Sequence, residues 1–436
     1  MFLELRECKA RSNSVLEGSK YLLTRTSNDV SVKSINCVCA RTNKQFILID
    51  TPNTENEIKW CEHAILWEFE VFEDCGNCIA MEQSGYIIKL NTKRFRECIT
   101  GERGLQMGTD LKEATEQKLG YGELHLHLDG AITPDIAKKL AVLQGIRLPY
   151  EGEQLSQVLS VGEDCQSLNE FLQCFDLPLK LLQTKESISE AVYLVQEELK
   201  AEGLSYAELR FAPQLHCQGG LSQAQVIEAA LEGLKHSTLP CNLILCCMRG
   251  TGNEKENEET MELTGEYIKK RILPEGKKGY GVVAMDLAGA EALYPTYKYK
   301  ELFKKAADKE IPFTIHAGEA GGAAEVACAI EMGAARIGHG VRSYEDPAVV
   351  RMICEKGIFL EMCPTSNRIT KAVQDMKAYP LREYLSQGIR VAVCTDDMAI
   401  CRTELKKEFD YLKKLMGLTE EEKVQILKNT SDGAFS

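Results

Sequence analysis

Long apolar runs are missing from this chain. No stretch approaches the roughly 18 uninterrupted hydrophobic residues that a bilayer span requires, so a membrane partner is not expected. A secretory leader is not evident either. The opening MFLELRECKARS places acids and bases where an apolar leader core belongs, and the expected location is the cytoplasm. Basic charge is scarce as well. Lys and Arg number 52 against 65 Asp and Glu, a net charge of −13, which argues against nucleic acid as a partner. The deficit is concentrated: residues 1–119 carry 16 basic and 18 acidic side chains, residues 120–436 carry 36 and 47. Such a surface is a poor host for polyphosphate ligands. What remains is a small-molecule ligand, with the oligomeric state unknown. Histidine is also sparse, at seven residues, so its placement is informative.

The apolar fraction of 44% and charged fraction of 27% describe an ordinary globular protein, long enough for two domains. Its 18 cysteines read as reduced thiols, many of them small core residues; Cys246, Cys328 and Cys394 all sit inside apolar patterns. Residues 1–119 form a small β-rich domain of unknown role. Alternation in Ala64–Glu73 predicts a half-buried strand, and Val32–Ala40, Gln45–Asp50 and Gly85–Asn91 predict three more. Cys37-x-Cys39, Cys61-x-His63 and Cys75-x-x-Cys78 have spacings that a structural zinc could use, but cysteine is abundant throughout and Cys37 and Cys39 lie in a predicted strand, so the reading as ordinary thiols is preferred.

From residue 120 the pattern changes to strands alternating with helices. Strands are predicted at Gly122–Leu126, Tyr206–Phe211, Asn242–Met248, Gly281–Leu287, Pro312–Ile315, Arg336–Gly338, Ile358–Met362 and Arg390–Cys394. Helical stretches lie between them, including Ser187–Glu202, Leu221–His236, Asn257–Lys270, Lys298–Lys309 and Ala323–Glu331. Eight such units predict an α/β fold, a (β/α)8 TIM barrel over 120–436. A long helical insertion, residues 131–203, is placed to cover its mouth.

Polar residues gather at the predicted strand ends. Glu123-Leu-His125-Leu-His127-Leu-Asp129-Gly130 closes the first strand, and alternation turns His125 and His127 to one side, where both can grip one metal ion. Patterned Leu/His alternation alone would carry little weight. The fifth strand adds His316 and Glu319, the sixth His339 between two glycines, and the eighth Asp396 and Asp397. His63, His216 and His236 have no comparable setting and are expected to be structural or exposed. Chemistry in α/β barrels sits at the C-terminal strand ends, so a mononuclear metal hydrolase is expected.

HLHLDG, HAGE, RIGHG and TDD, in this order and at these separations, resemble the adenosine deaminases of the metal-dependent hydrolase superfamily. So do EFLQCFDLPLKLLQT (170–184), YAELRFAP (206–213) and DLAG (286–289), and the resemblance runs from about Gly122 almost to the last residue. It implies a zinc-dependent enzyme of purine salvage that converts adenosine, and 2′-deoxyadenosine, to inosine and ammonia. His125, His127, His316 and Asp396 would hold one zinc. Glu319 would protonate purine N1, and His339 would act as base or electrostatic partner to the attacking hydroxide. Asp397 would meet N7 and the Gly289 N–H would meet N3, while His127 and Asp129 would lie near the ribose 5′-hydroxyl. The cysteine-ligand pattern of cytidine-type deaminases is missing. HLDG favours the nucleoside, since adenine-specific relatives look as though they carry HLEG; a 5′-modified adenosine or adenine itself is the alternative substrate. Phe171, Leu172 and Phe175 resemble the family's substrate lid, or are simple helix core. Met398 stands where the family commonly has Pro and Ala290 where an acid is usual, which bears on efficiency and substrate range. A binding protein derived from this fold should lack at least one of these groups, and a two-metal hydrolase should carry a lysine on the fourth strand, where this chain has Asp286-Leu-Ala-Gly289.

Overall fold

The computed structural model describes residues 120–435, apart from 163–164, 166–167 and 272–279, and the backbones of five earlier strands. The chain divides into two compact units, 1–115 and 116–436. In the first, β1 (Leu22–Thr26), β2 (Asp29–Val38) and β3 (Gln45–Leu48) form an antiparallel sheet in that order, and β4 (Cys78–Met81) pairs antiparallel with β5 (Ile87–Leu90). The strand expected at Ala64–Glu73 lies outside the described residues. So do the side chains of Cys37, Cys39, Cys61, His63, Cys75 and Cys78.

The second unit is the predicted (β/α)8 barrel. Its strands are β6 (Tyr121–His127), β7 (Leu204–Phe211), β8 (Cys241–Met248), β9 (Tyr280–Ala288), β10 (Thr314–Ala317), β11 (Arg336–His339), β12 (Phe359–Met362) and β13 (Arg390–Val393). They make two four-stranded parallel sheets, β6-β7-β8-β9 and β10-β11-β12-β13. Two parallel bridges join the sheets into a ring, Met285 to Phe313 and Leu126 to Asp396. At the second seam the Asp396 N–H donates to the His125 carbonyl (2.9 Å) and the His127 N–H to the Asp396 carbonyl (2.8 Å). A candidate ligand thus forms part of the barrel's closure.

Alternation decides which side chains see the site. Leu209, Leu287, Ile315, Ile337 and Leu360 join one apolar cluster with Val192, Val226, Met261, Phe303, Val326 and Ile353 of the surrounding helices. Each such buried side chain contributes roughly 1.5–3 kcal/mol. Their strand neighbours Arg210, Asp286, His316, Arg336 and Glu361 are buried and polar. The insertion after β6 forms helices at Pro134–Gln144, Gly152–Val158, Leu168–Leu172, Asp176–Leu181 and Lys185–Ala201. Thr133 caps the first through the Ile136 N–H, and Thr184 and Ser187 form a capping box on the last. Among the described residues no helix is long and apolar enough to cross a membrane.

Candidate active site

Four side chains converge at the C-terminal mouth. The ligand atoms of His125, His127, His316 and Asp396 all lie within 4.8 Å of one another. His127 and His316 face each other through their Nε2 atoms at 3.1 Å, and Asp396 Oδ1 stands 3.0 Å from His125 Nε2 and 3.5 Å from His127 Nε2. The far side of two rings is anchored. His125 Nδ1 meets Glu361 Oε2 at 2.7 Å, and His316 Nδ1 meets Asp286 Oδ2 at 3.0 Å. A carboxylate can only accept, so each Nδ1 carries the proton and each Nε2 turns a lone pair inward. Lone pairs and a carboxylate oxygen crowded together repel unless a cation sits among them, and His125 Nε2 has no hydrogen-bond partner. The donor set therefore fits a divalent metal ion.

The electrostatics agree. Burial, together with its histidine neighbours, holds His127 well below the usual imidazole pKa. Burial also lowers His316 to about 4, so both rings are neutral ligands at pH 7. For His125, burial and Arg210 press the pKa down, but Asp396 and Glu361 outweigh them and raise it. Asp396 stays well below the carboxylate range despite burial, because His339 and His125 favour its anion.

Local backbone explains how these groups reach one point. His339 and Asp396 occupy the left-handed region, with φ of 62° and 65°, a conformation that costs non-glycine residues about 1–3 kcal/mol and clusters at functional sites. Gly338 lies opposite His316 in the β10–β11 register, and a Cβ there would come 3.0 Å from His125 Cε1. A side chain there would press on both imidazoles.

Around the cluster lies a cavity of about 210 Å³, lined among others by Asp129, Phe171, Leu172, Phe175, Gly289 and Asp397. Glu319 and His339 also open into it, with Glu319 Oε2 3.6 Å from His339 Nε2. Burial raises the Glu319 carboxyl pKa, helped by the anions Asp396 and Glu291, and the Thr370 hydroxyl donates to its Oε1 at 3.0 Å. The Asn367 amide donates to His339 Nδ1 (3.0 Å) while its oxygen accepts from the Tyr379 hydroxyl (3.1 Å). His339 Nδ1 thus accepts, which leaves Nε2 as the nitrogen that carries a proton. Burial lifts Asp129 to about 6, and burial with neighbouring Asp396 pushes Asp397 well above the carboxylate range. Oδ1 of each is buried without a hydrogen-bond partner. Gly130 is squeezed against this pair, since a Cβ on it would lie 1.7 Å from Asp397 Oδ1. Gly289 has φ of 102°, in the left-handed region that favours glycine. Phe171 packs with Val161, Cys174, Ile369 and Ile400 and also lines the cavity. Met398 is buried in the main apolar cluster. Of the other histidines, His216 is buried against the Leu182 carbonyl and His236 is exposed beside Glu232.

Several groups escaped the reading of the sequence. Arg210, Arg336, Glu208 and Glu361 form a fully buried ion network beneath the ligands, and Asn367, Thr370 and Glu291 support Glu319 and His339. The available signal was a charged residue inside an apolar strand, as in FLEM and LSYAELRF.

A (β/α)8 barrel with three imidazoles and an aspartate gathered at its C-terminal mouth defines a metal-dependent hydrolase. Residues 121–436 match the family model described as "Adenosine deaminase". The adenosine deaminase of Haemophilus ducreyi is 44% identical over 322 residues, covering 72% of this chain and 92% of that protein. That of Enterococcus faecalis is 35% identical over 329 residues, covering 74% and 94%. Among solved structures, the adenine deaminase of Arthrobacter aurescens superposes with a TM-score of 0.63 at 26% identity, over 72% of this chain and 93% of that one. The chain belongs to the adenosine deaminase family.

Proposed function

We propose that this enzyme hydrolytically deaminates adenosine, and 2′-deoxyadenosine, to inosine and ammonia, in cytoplasmic purine salvage. The reading is supported above all by one observation: the ligand atoms of His125, His127, His316 and Asp396 meet within 4.8 Å of one another in a cavity that Glu319 and His339 also line. Three imidazoles and a carboxylate suit zinc, and these four residues would hold it. When bound, zinc supplies Lewis acidity and a water of lowered pKa. Glu319, whose carboxyl burial raises above its usual pKa, would deliver a proton to purine N1 and so make C6 electrophilic. His339 offers its Nε2 proton to the attacking oxygen, which favours the electrostatic role over that of a base. Asp397, whose carboxyl burial and the Asp396 anion raise well above the usual range, would share a hydrogen bond with N7, and the Gly289 N–H would meet N3. Asp129, which lines the cavity and has a buried Oδ1 without a hydrogen-bond partner, would take the ribose 5′-hydroxyl together with His127.

Adenine is the second reading, favoured by the Arthrobacter likeness. Asp129 and the higher identity to the Haemophilus enzyme favour the nucleoside. The deaminase domain is taken as 120–436, with residues 1–119 a β-rich domain without an assigned role. Chelation of the purified protein should abolish inosine formation and zinc should restore it. Glu319→Gln should lower kcat by about 10²–10⁴-fold with zinc still bound. A Glu319→Gln variant as active as the parent would refute this reading of the site.

A further inference from the structure

Glu291, in the turn after β9, is 3% exposed and reaches neither the ligand cluster nor the cavity lining. Its carboxylate instead faces the turn that follows His316. Oε1 accepts from the Gly318 N–H at 2.7 Å. Oε2 accepts from the N–H groups of Glu319 (3.1 Å), Ala320 (2.7 Å) and Gly321 (2.8 Å). Four backbone donors in succession form an anion nest, and here the anion is a side chain of the same chain. Four backbone donors commit the Glu291 carboxylate to this turn.

The fit is tight from the other side. A Cβ on Gly321 would lie 2.8 Å from Glu291 Oε1 and 2.5 Å from Glu325 Cγ. Gly318, at φ of 72°, leaves no space for a Cβ beside Val326. The remainder of the turn is also pinned. The Arg249 guanidinium donates to the His316 carbonyl (2.6 Å), the Arg342 guanidinium to the Ala320 carbonyl (3.1 Å), and the Arg342 N–H to the Gly318 carbonyl (3.0 Å).

We propose that Glu291 is a positioning residue for deamination: by binding the N–H groups of residues 318–321 it fixes the backbone that aims the Glu319 carboxyl at the substrate. The inference rests on the proposed role of Glu319. It separates Glu291 from the groups that touch substrate or metal, and it gives the acid of this turn a purpose that Ala290 beside it cannot serve. A gain of this kind is large, because a misplacement of about 1 Å at a reacting group can cost on the order of 100-fold in rate.

The test uses the full-length zinc-loaded protein. Glu291→Gln loses one acceptor and the charge. It should lower kcat for adenosine by about 10- to 100-fold, move KM by less than about threefold and leave zinc content unchanged. Amide hydrogen exchange at residues 318–321 should quicken by at least about tenfold, a readout independent of turnover. Glu291→Asp keeps the charge with a shorter reach and should recover part of kcat. Gly321→Ala leaves Glu291 in place but forces the turn off it, and should reproduce the kcat loss if Glu291→Gln folds poorly. A kcat within about twofold of the parent in Glu291→Gln, or an activity loss that only follows zinc loss while exchange at 318–321 stays slow, would overturn the inference. A parent protein inactive on adenosine would overturn the functional reading first, and this inference with it.

Discussion

Replacing Glu361 by Gln tests the ion network on which the ligands stand. The Glu361 carboxylate is fully buried. Oε2 takes His125 Nδ1 at 2.7 Å and Arg210 Nη2 at 2.8 Å, while Oε1 takes Arg336 Nε at 2.6 Å. Burial alone would raise its pKa, but Arg210, Arg336 and the hydrogen bond to His125 hold it well below the carboxylate range. A depressed carboxylate pKa contributes stability above the unfolded value and loses it as pH falls through the folded one. Breaking a buried pair from one side costs about 3–5 kcal/mol. Here each arginine keeps a second partner, Arg210 with Asp286 at 3.0 Å and Arg336 with Glu208 at 2.7 Å, which places the loss near about 3 kcal/mol. At roughly 2–4 °C per kcal/mol the unfolding transition of the barrel should fall by about 6–12 °C at pH 7. Zinc affinity should weaken by about 10- to 100-fold, since His125 loses the group that fixes its tautomer. Thermal unfolding with and without chelator reads both, and the gap between variant and parent should narrow in strong acid. A transition within about 1 °C of the parent, with zinc affinity unchanged, would refute the network's role.

Two further outcomes follow from other buried groups. Burial lowers the His216 pKa to about 4, and its Nε2 has no partner, so the folded state takes up a proton less readily than the unfolded chain. Stability is then complete above about pH 6.5 and falls by about 3 kcal/mol as the pH drops towards 4; denaturant titration across that range should show His216→Gln flattening the slope. Gly130→Ala would drive a methyl into Asp397 Oδ1, 1.7 Å from the built Cβ position. It should lower kcat/KM by about 100-fold with zinc retained, and steady-state kinetics with metal analysis decide it.

The barrel, and the convergence of His125, His127, His316 and Asp396, were largely legible in the sequence. Eight strands could be placed because buried parallel strands read as short apolar runs, and HLHLDG, HAGE, RIGHG and TDD each sit where such a run ends. What was not legible depends on distance in the chain. Nothing local shows that Asp396 bridges back to Leu126 and closes the ring, or that His339 and Asp396 are held at positive φ. Glu361 reads as one acid in a short strand, yet it touches His125, 236 positions away. Glu291 follows Ala290, whose lack of an acid drew notice, while the neighbouring residue does the holding. Charges of this kind are invisible to periodicity because their partners come from other strands and loops.

The most direct measurement gives the purified protein adenosine, adenine and AMP in parallel, following ammonia and the deaminated product, with metal content determined on the same sample. The account predicts about one zinc per chain and turnover of adenosine to inosine well ahead of the other two, lost on chelation. Adenine or AMP turned over in preference, or no turnover of any of the three with zinc bound, would contradict it.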